Sequence, residues 1–275
     1  MRNYLKYLMS GAVAVAAAAL AICSCHNQGD ARDHNAATQA ANGRIADAEL
    51  PSVPSGTPSQ VKRYEGYTVS FNKDNGTPNW SAWELTRDET DGAVSRGKSK
   101  FWTDEEISGC RSTDDYKHSG YDRGHLCPAA DMKWSEQAMH DCFSMANIAP
   151  QDHALNSGAW STLEKKCRKW TDRDGVLLIA AGPIYDKGDN TRIGEGGVRV
   201  PSAFFKAIAA PYISAPRGIA FVYPNMSAPG NMQNYVMTID ELEKLTGYDF
   251  FHALPDDIEK AIESTTSFKE WDYTK

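Results

Sequence analysis

The chain has 275 residues, 41% of them hydrophobic, which suffices for one large domain or two small ones. Its 29 Lys and Arg against 36 Asp and Glu leave a formal charge of −7. That balance argues against a general nucleic-acid binder held by a broadly positive face, and any phosphate chemistry in such a chain would have to rely on a divalent metal and a local basic groove.

Arg2 and Lys6 precede a short apolar run over residues 8–22, rich in Ala and Val. This pattern reads as a secretory signal over residues 1–24, too short for a settled membrane span. It ends in Ile22-Cys23-Ser24-Cys25, which resembles a bacterial lipoprotein signal. Small Ser24 before Cys25 fits acylation better than bulky Ile22 before Cys23. The competing reading is an ordinary cleaved signal with incidental cysteines. Lipid on Cys25 would hold the protein on a membrane surface through acyl chains; otherwise it is secreted. Loss of Arg2 and Lys6 leaves 27 basic against 36 acidic residues, or −9. Residues 25–60 are polar, then Pro- and Ser-rich, and lack aromatics. They read as a flexible tether, with the globular domain spanning residues 61–275.

Residues 67–72 alternate like a strand, Asn75-Gly76 is a tight-turn signal, and residues 78–87 read as the partner strand of a hairpin. Residues 88–120 form a long polar loop carrying Arg96, Lys98, Lys100, Arg111 and Lys117. Asp122-Arg-Gly-His125 follows where a strand ends. In extended backbone Arg123 and His125 share a face, and the Gly between them admits another backbone or a phosphate. Residues 134–145 repeat apolar side chains at helical spacing, with Ser135 as N-cap. Asn147 lies just before the break at Pro150, where its amide can tie down a loop or touch the site.

A second helix begins at residues 156–160 and continues through Leu163, Glu164, Cys167 and Arg168. At about 100° per residue, Asn156 and Glu164 are about 80° apart around it and can flank one ligand. A helix-cap role accounts for Asn156 but not for Glu164. Mg²⁺ keeps most of its waters and takes one or two protein oxygens. Asn156 can supply the direct oxygen, and Glu164 can hold a water on the metal. A neutral His125 can take the proton of an attacking water. Arg and metal can stabilise the charge of a pentacoordinate phosphorus.

Cys110, Cys127, Cys142 and Cys167 make an even set in an exported chain, which predicts two disulfides, with Cys142–Cys167 favoured. No C-x-x-C pair supports a zinc site. Further on, residues 176–181 form a buried strand closed by Gly182-Pro183, and residues 186–197 form a Gly-rich loop. Residues 203–213 and 219–223 read as strands. Thr238-x-x-Glu241 is a capping box opening a helix that stops at Gly247, and residues 255–264 form a last helix. The expected class is α+β, with a central, mainly antiparallel sheet and helices on it.

Asp122-Arg-Gly-His125, Asn147-Ile-Ala-Pro-Gln151, Leu155-Asn156, Ala159-Trp160 and Leu163-Glu164 together resemble the DNA/RNA non-specific endonucleases of the ββα-metal superfold, of the endonuclease G type. The likeness runs from about residue 67, through Pro78-Asn-Trp80 and Val200-Pro-Ser-Ala-Phe-Phe-Lys206, to about residue 251. The resemblance implies Mg²⁺ (or Mn²⁺ or another divalent ion) on Asn156, Glu164 holding a water on the metal, and His125 as general base. It implies substrate or transition-state contacts from Arg123, Asn147 and Arg168. It implies cleavage of DNA and RNA to 5′-phosphate ends, with a homodimer left open. Asp115-Tyr116-Lys117 departs from the pattern, which has Arg in place of this Lys. A single Lys cannot make the bidentate phosphate fork. The loop carrying Lys98 and Lys100 also aligns poorly. A non-catalytic envelope lipoprotein on the same fold, or a phosphodiesterase acting on small molecules, are the competing functions.

Overall fold

A computed structural model describes residues 43–97 and 99–272. The signal, Cys23 and Cys25 lie outside the described residues. The strands in chain order are β1 (Gln60–Arg63), β2 (Thr68–Asn72), β3 (Thr77–Thr86), β4 (Asp122–His125), β5 (Ile148–Gln151), β6 (Val176–Ile184), β7 (Arg192–Ile193), β8 (Val198–Arg199), β9 (Ala203–Ala210), β10 (Arg217–Pro224) and β11 (Val236–Met237). The α-helices of five or more residues are α1 (Glu136–Asp141), α2 (Ser161–Asp174), α3 (Ile239–Thr246), α4 (Asp256–Glu263) and α5 (Phe268–Asp272). Seven strands form one sheet in the order β1-β2-β3-β6-β9-β10-β11, antiparallel at every pairing. Two-stranded sheets pair β4 with β5 and β7 with β8. The α+β class is therefore as expected.

The sheet centre is covered on both faces, which explains why β9 is buried at every residue. Side chains alternate across a strand. Phe204 meets Trp160 at 5.7 Å on one face, while Phe205 meets Phe250 at 5.4 Å on the other. The first face carries α2, whose Trp170 stacks on Phe221 of β10 and meets Trp271 of α5. The second carries α3 and α4. No helix among the described residues is long and apolar enough to cross a membrane.

Several expectations shift. The compact unit begins at Asp47, not near residue 61. Ala48 is buried, and Ser52 exchanges two backbone hydrogen bonds with Asp249, so this polar stretch is tied down by pairing rather than by apolar content. Strand β6 does not stop at Gly182-Pro183. Past Ala181 it pairs only with β9, so the missing N–H of Pro183 falls beyond the β3 ladder. The Gly-rich loop carries β7 and turns into β8, with which β7 pairs as a hairpin.

The four cysteines are free thiols, so neither expected disulfide is present. Cys127, Cys142 and Cys167 are buried in the main apolar cluster, where they pack as small hydrophobic residues. Helix α1 is shorter than the sequence predicts. Cys142 sits at its C-cap, and its Sγ donates back to the Met139 carbonyl at 3.1 Å rather than reaching for Cys167. Burial pushes the thiols of Cys142 and Cys167 up to about 12 and that of Cys110 to about 11.

Candidate active site

The site is assembled where β4, β5 and α2 meet. Strand β4 pairs with β5 so that Gly124 faces Ala149 and His125 faces Ile148. A Cβ at Gly124 would lie 2.5 Å from both Cβ and Oε1 of Gln151, so only glycine permits this approach. The chain then runs from β4 into Leu126 and Cys127, and there Asn147 anchors it. Its Oδ1 accepts from Ser81 Oγ at 2.9 Å and from the Cys127 N–H at 3.0 Å. Its Nδ2 donates to the carbonyls of Cys127 (2.8 Å) and Cys142 (2.9 Å). Asn147 is 0% exposed and uses both donors and both acceptor positions inside the protein. Of the two roles open to it from sequence, the amide takes the loop-tying one.

His125 lies between two aromatic rings, with Phe101 at 5.2 Å and Phe143 edge-on at 5.0 Å. Trp160 Nε1 donates to the His125 carbonyl at 3.2 Å, fixing the backbone that carries the ring. Its Nε2 is buried without a hydrogen-bond partner. Burial, with a smaller contribution from the Arg96 charge, pushes the imidazole down to about 3, so the ring is neutral at physiological pH. Arg123 shares this cavity. Its Nη2 donates to the Thr113 carbonyl at 2.5 Å, and its guanidinium lies over the rings of Phe101 and Tyr116 at 5.5 and 5.7 Å.

Helix α2 and the turn before it carry Glu164 and Asn156. The helix is preceded by a π-type turn, Leu155–Trp160, with Gly158 at φ −104° and ψ −105°. The regular helical spacing assumed from sequence therefore does not hold between Asn156 and Glu164, yet both side chains line the cavity. Such turns recur at functional sites. Asn156 Nδ2 donates to Asp122 Oδ2 at 2.8 Å, an oxygen that also meets His153 Nδ1 at 2.9 Å. A carboxylate accepts only, so this bond identifies the nitrogen and leaves Oδ1 as the atom available at the cavity.

Glu164 is half-buried. Burial pushes its carboxyl up to about 7, with Lys206 and Arg168 pulling down and Asp131 pushing up. Lys206 is 1% exposed, with Nζ 4.5 Å from the Trp160 ring and 4.8 Å from that of Trp83. Arg168 pairs with buried Asp131 at 2.7 Å and is not among the cavity-lining residues. Asp131 also accepts from Trp83 Nε1 at 3.2 Å. The structure thus brings Arg123, His125, Asn156 and Glu164 into one cavity of about 610 Å³ and sets Asn147 and Arg168 behind it.

Arg96 and Lys133 also line the cavity. In the sequence Arg96 was one of five basic loop residues with nothing to single it out, and Lys133 carried no signal. Asp122 stood inside the Asp-Arg-Gly-His string, which was the available clue to its part in orienting Asn156. Lys117, at the position that departs from the pattern, pairs with Asp114 at 2.8 Å and does not line the cavity. Lys98 lies outside the described residues.

An amide side chain, a carboxylate and a buried neutral imidazole thus line one cavity beside a two-stranded sheet that is followed by a helix, the arrangement of a ββα motif. Residues 46–257 match the sequence model of the DNA/RNA non-specific endonuclease family. The chain is 32% identical over 213 residues to mitochondrial nuclease EXOG of Mus musculus, covering 71% of this chain and 58% of that protein. It is 33% identical to a nuclease of Nostoc sp., covering 72% and 75%. A chain in the crystal structure of the EndoG/EndoGI complex superposes with a TM-score of 0.68 at 27% identity, covering 75% of this chain and 91% of that one. The chain therefore belongs to the DNA/RNA non-specific endonuclease family, and it spans less than two thirds of the length of the mouse relative.

Replacing Asn147 by Ala strands two carbonyls, a backbone N–H and the Ser81 hydroxyl in the core. The expected loss is about 3 kcal/mol or more of folding stability, read as a lower urea midpoint; an unchanged midpoint would show that the amide is not the tie.

The Glu164 carboxyl also sets a pH dependence. Its folded-state value of about 7 lies above the ordinary 4.5. Its contribution to stability is thus complete below pH 4.5 and is lost as pH rises through 7. In EDTA, Glu164→Gln should therefore stabilise the protein by about 1–3 kcal/mol at pH 8 and change little at pH 4. Equal midpoints for the two proteins at pH 8 would remove the basis for this reading.

Proposed function

We propose that this chain is a divalent-metal-dependent endonuclease that hydrolyses phosphodiester bonds of DNA and RNA to 5′-phosphate ends. The observation that carries this reading is the convergence of His125, Arg123, Asn156 and Glu164 on one cavity. The family relatives are named as nucleases, which supports the same class.

The donor set fits a hard cation. Asn156 offers a neutral oxygen held in place through Asp122, and Glu164 offers a carboxylate in the same cavity. Mg²⁺ suits a site with so few protein oxygens, and Mn²⁺ has similar demands. When bound, the ion would polarise a phosphoryl oxygen and offset charge at the reacting phosphorus. The chain's own residues supply the rest. Arg123, Arg96 and Lys133 surround the cavity with positive charge in an otherwise acidic protein and draw the phosphate in. His125 arrives neutral and can accept a proton from water. The approach of the anionic phosphate favours the imidazolium and raises its basicity when substrate is present. The Phe101 and Phe143 rings hold the imidazole in one orientation, and Trp160 steadies its backbone.

The basic N-terminus, the apolar run and Cys25 support export with a lipid anchor at a bacterial envelope. Mass spectrometry of the mature N-terminus should find acyl chains on Cys25. A free N-terminus elsewhere would mean an ordinary secreted protein.

The nuclease reading is tested on plasmid DNA and on RNA with and without EDTA. Purified protein should cleave both and stop on chelation. His125→Ala should fold yet lose at least about a hundredfold in rate. Asn156→Ala should lose metal and activity together. Asn156→Asp should keep metal but lose most activity, because the added negative charge opposes the phosphate. Full activity of Asn156→Ala at ordinary Mg²⁺ would place the metal elsewhere and end this mechanism.

A further inference from the structure

Helices α3 and α4 both rest on β10 at Gly218. A Cβ there would lie 2.1 Å from the Ile262 carbonyl oxygen and 2.6 Å from Ile239 Cδ1, so the missing side chain is what lets both helices settle. Ile239 and Ile262 are 0% exposed. Burying these two isoleucines fixes α3 against α4 and carries their sequence neighbours, Asp240 and Glu263, toward each other. Glu243 lies one turn along α3 from Asp240, on the same face. One carboxylate oxygen from each of Asp240, Glu243 and Glu263 lies within 4.8 Å of the other two. Apolar packing thus forces three acidic groups together.

Among the described residues, no ion pair with Lys, Arg or His involves any of the three. Glu263 is only 8% exposed, and its Oε1 is buried with no hydrogen-bond partner. A buried carboxylate oxygen without a donor costs free energy that a bound ligand can recover. Glu243 Oε1 accepts the Phe250 N–H at 2.9 Å, which holds this side chain in place and leaves its second oxygen for a ligand. Burial pushes the Glu263 carboxyl up to about 8, and Glu243, Glu259, Asp240 and Asp249 push in the same direction. The surroundings call for positive charge.

We propose that Asp240, Glu243 and Glu263 form a second cation site, for a hard divalent ion of the calcium type, that clamps α3 to α4. All three donors are oxygens, which excludes soft metals. Their span is no wider than the roughly 5 Å between opposite oxygens around Ca²⁺, and the half-exposed Asp240 and Glu243 leave room for the waters that complete six to eight ligands. The site uses different elements from the nuclease cavity, so it acts on stability.

Calorimetric titration with CaCl₂ on the full chain carrying Asn156→Ala and Glu164→Gln should find one calcium per chain. Adding Glu243→Gln and Glu263→Gln should abolish that binding. In the same Asn156→Ala/Glu164→Gln background, calcium at a hundred times Kd should raise Tm by about 5 °C or more. Adding Glu243→Gln and Glu263→Gln should remove this shift and, in EDTA, leave a protein that melts no lower than its parent, because the repulsion is gone. Absence of calcium binding in the first protein, a calcium-dependent Tm rise that survives both glutamine substitutions, or tighter binding of Mg²⁺ than of Ca²⁺ would each overturn the assignment.

Discussion

The Asn147 carboxamide is the interaction on which the site depends. It joins three segments that are distant in sequence: Ser81 on β3 of the main sheet, the Cys127 peptide just past β4, and the Cys142 carbonyl at the end of α1. In a core that excludes water, four satisfied hydrogen bonds are strongly specifying, because any displacement leaves several polar groups unpaired. Two residues upstream of Cys127 sits His125. Its position relative to the sheet is therefore inherited from an asparagine that never meets the cavity.

Charge is organised in layers around that tie. Arg96, Arg123 and Lys133 line the cavity with Glu164 as the acidic partner, so the local balance is positive while the whole chain is at −7. Behind Glu164 lie Lys206, held between the rings of Trp83 and Trp160, and the Arg168–Asp131 pair. The Lys206 and Arg168 charges oppose the burial that raises the Glu164 carboxyl, while Asp131 adds to it. Holding a half-buried acid and a neutral, unpartnered imidazole in one cavity costs stability, a usual feature of functional sites.

The sequence reading and the structure part company in instructive places. The hairpin of β2 and β3, the Ser135 N-cap, the Thr238 capping box and the stop at Gly247 were all legible, because each is a local hydrogen-bonding or backbone preference. The compact unit starts at Asp47, because residues 47–60 are held by backbone pairing and not by their own composition. The disulfide expectation followed from cysteine number and compartment. The structure shows small apolar residues in a shared cluster, and parity cannot reveal where a side chain points.

By itself the sequence determined which residues are the candidates for chemistry: the Asp-Arg-Gly-His string, Asn156 and Glu164 are dense enough in polar, titratable groups to stand out from any core pattern. Only the tertiary structure decided how they divide the work. Asn147 and Arg168 turned from expected contacts into buried ties and pairs, while Arg96, Lys133, Asp122 and Lys206 took places at the cavity or behind it. The physical reason is that hydrogen-bond saturation and desolvation are properties of a three-dimensional neighbourhood. Asn147 and Asn156 are the same side chain in the sequence. One has all its bonds met within the protein, and the other keeps an oxygen free at the cavity.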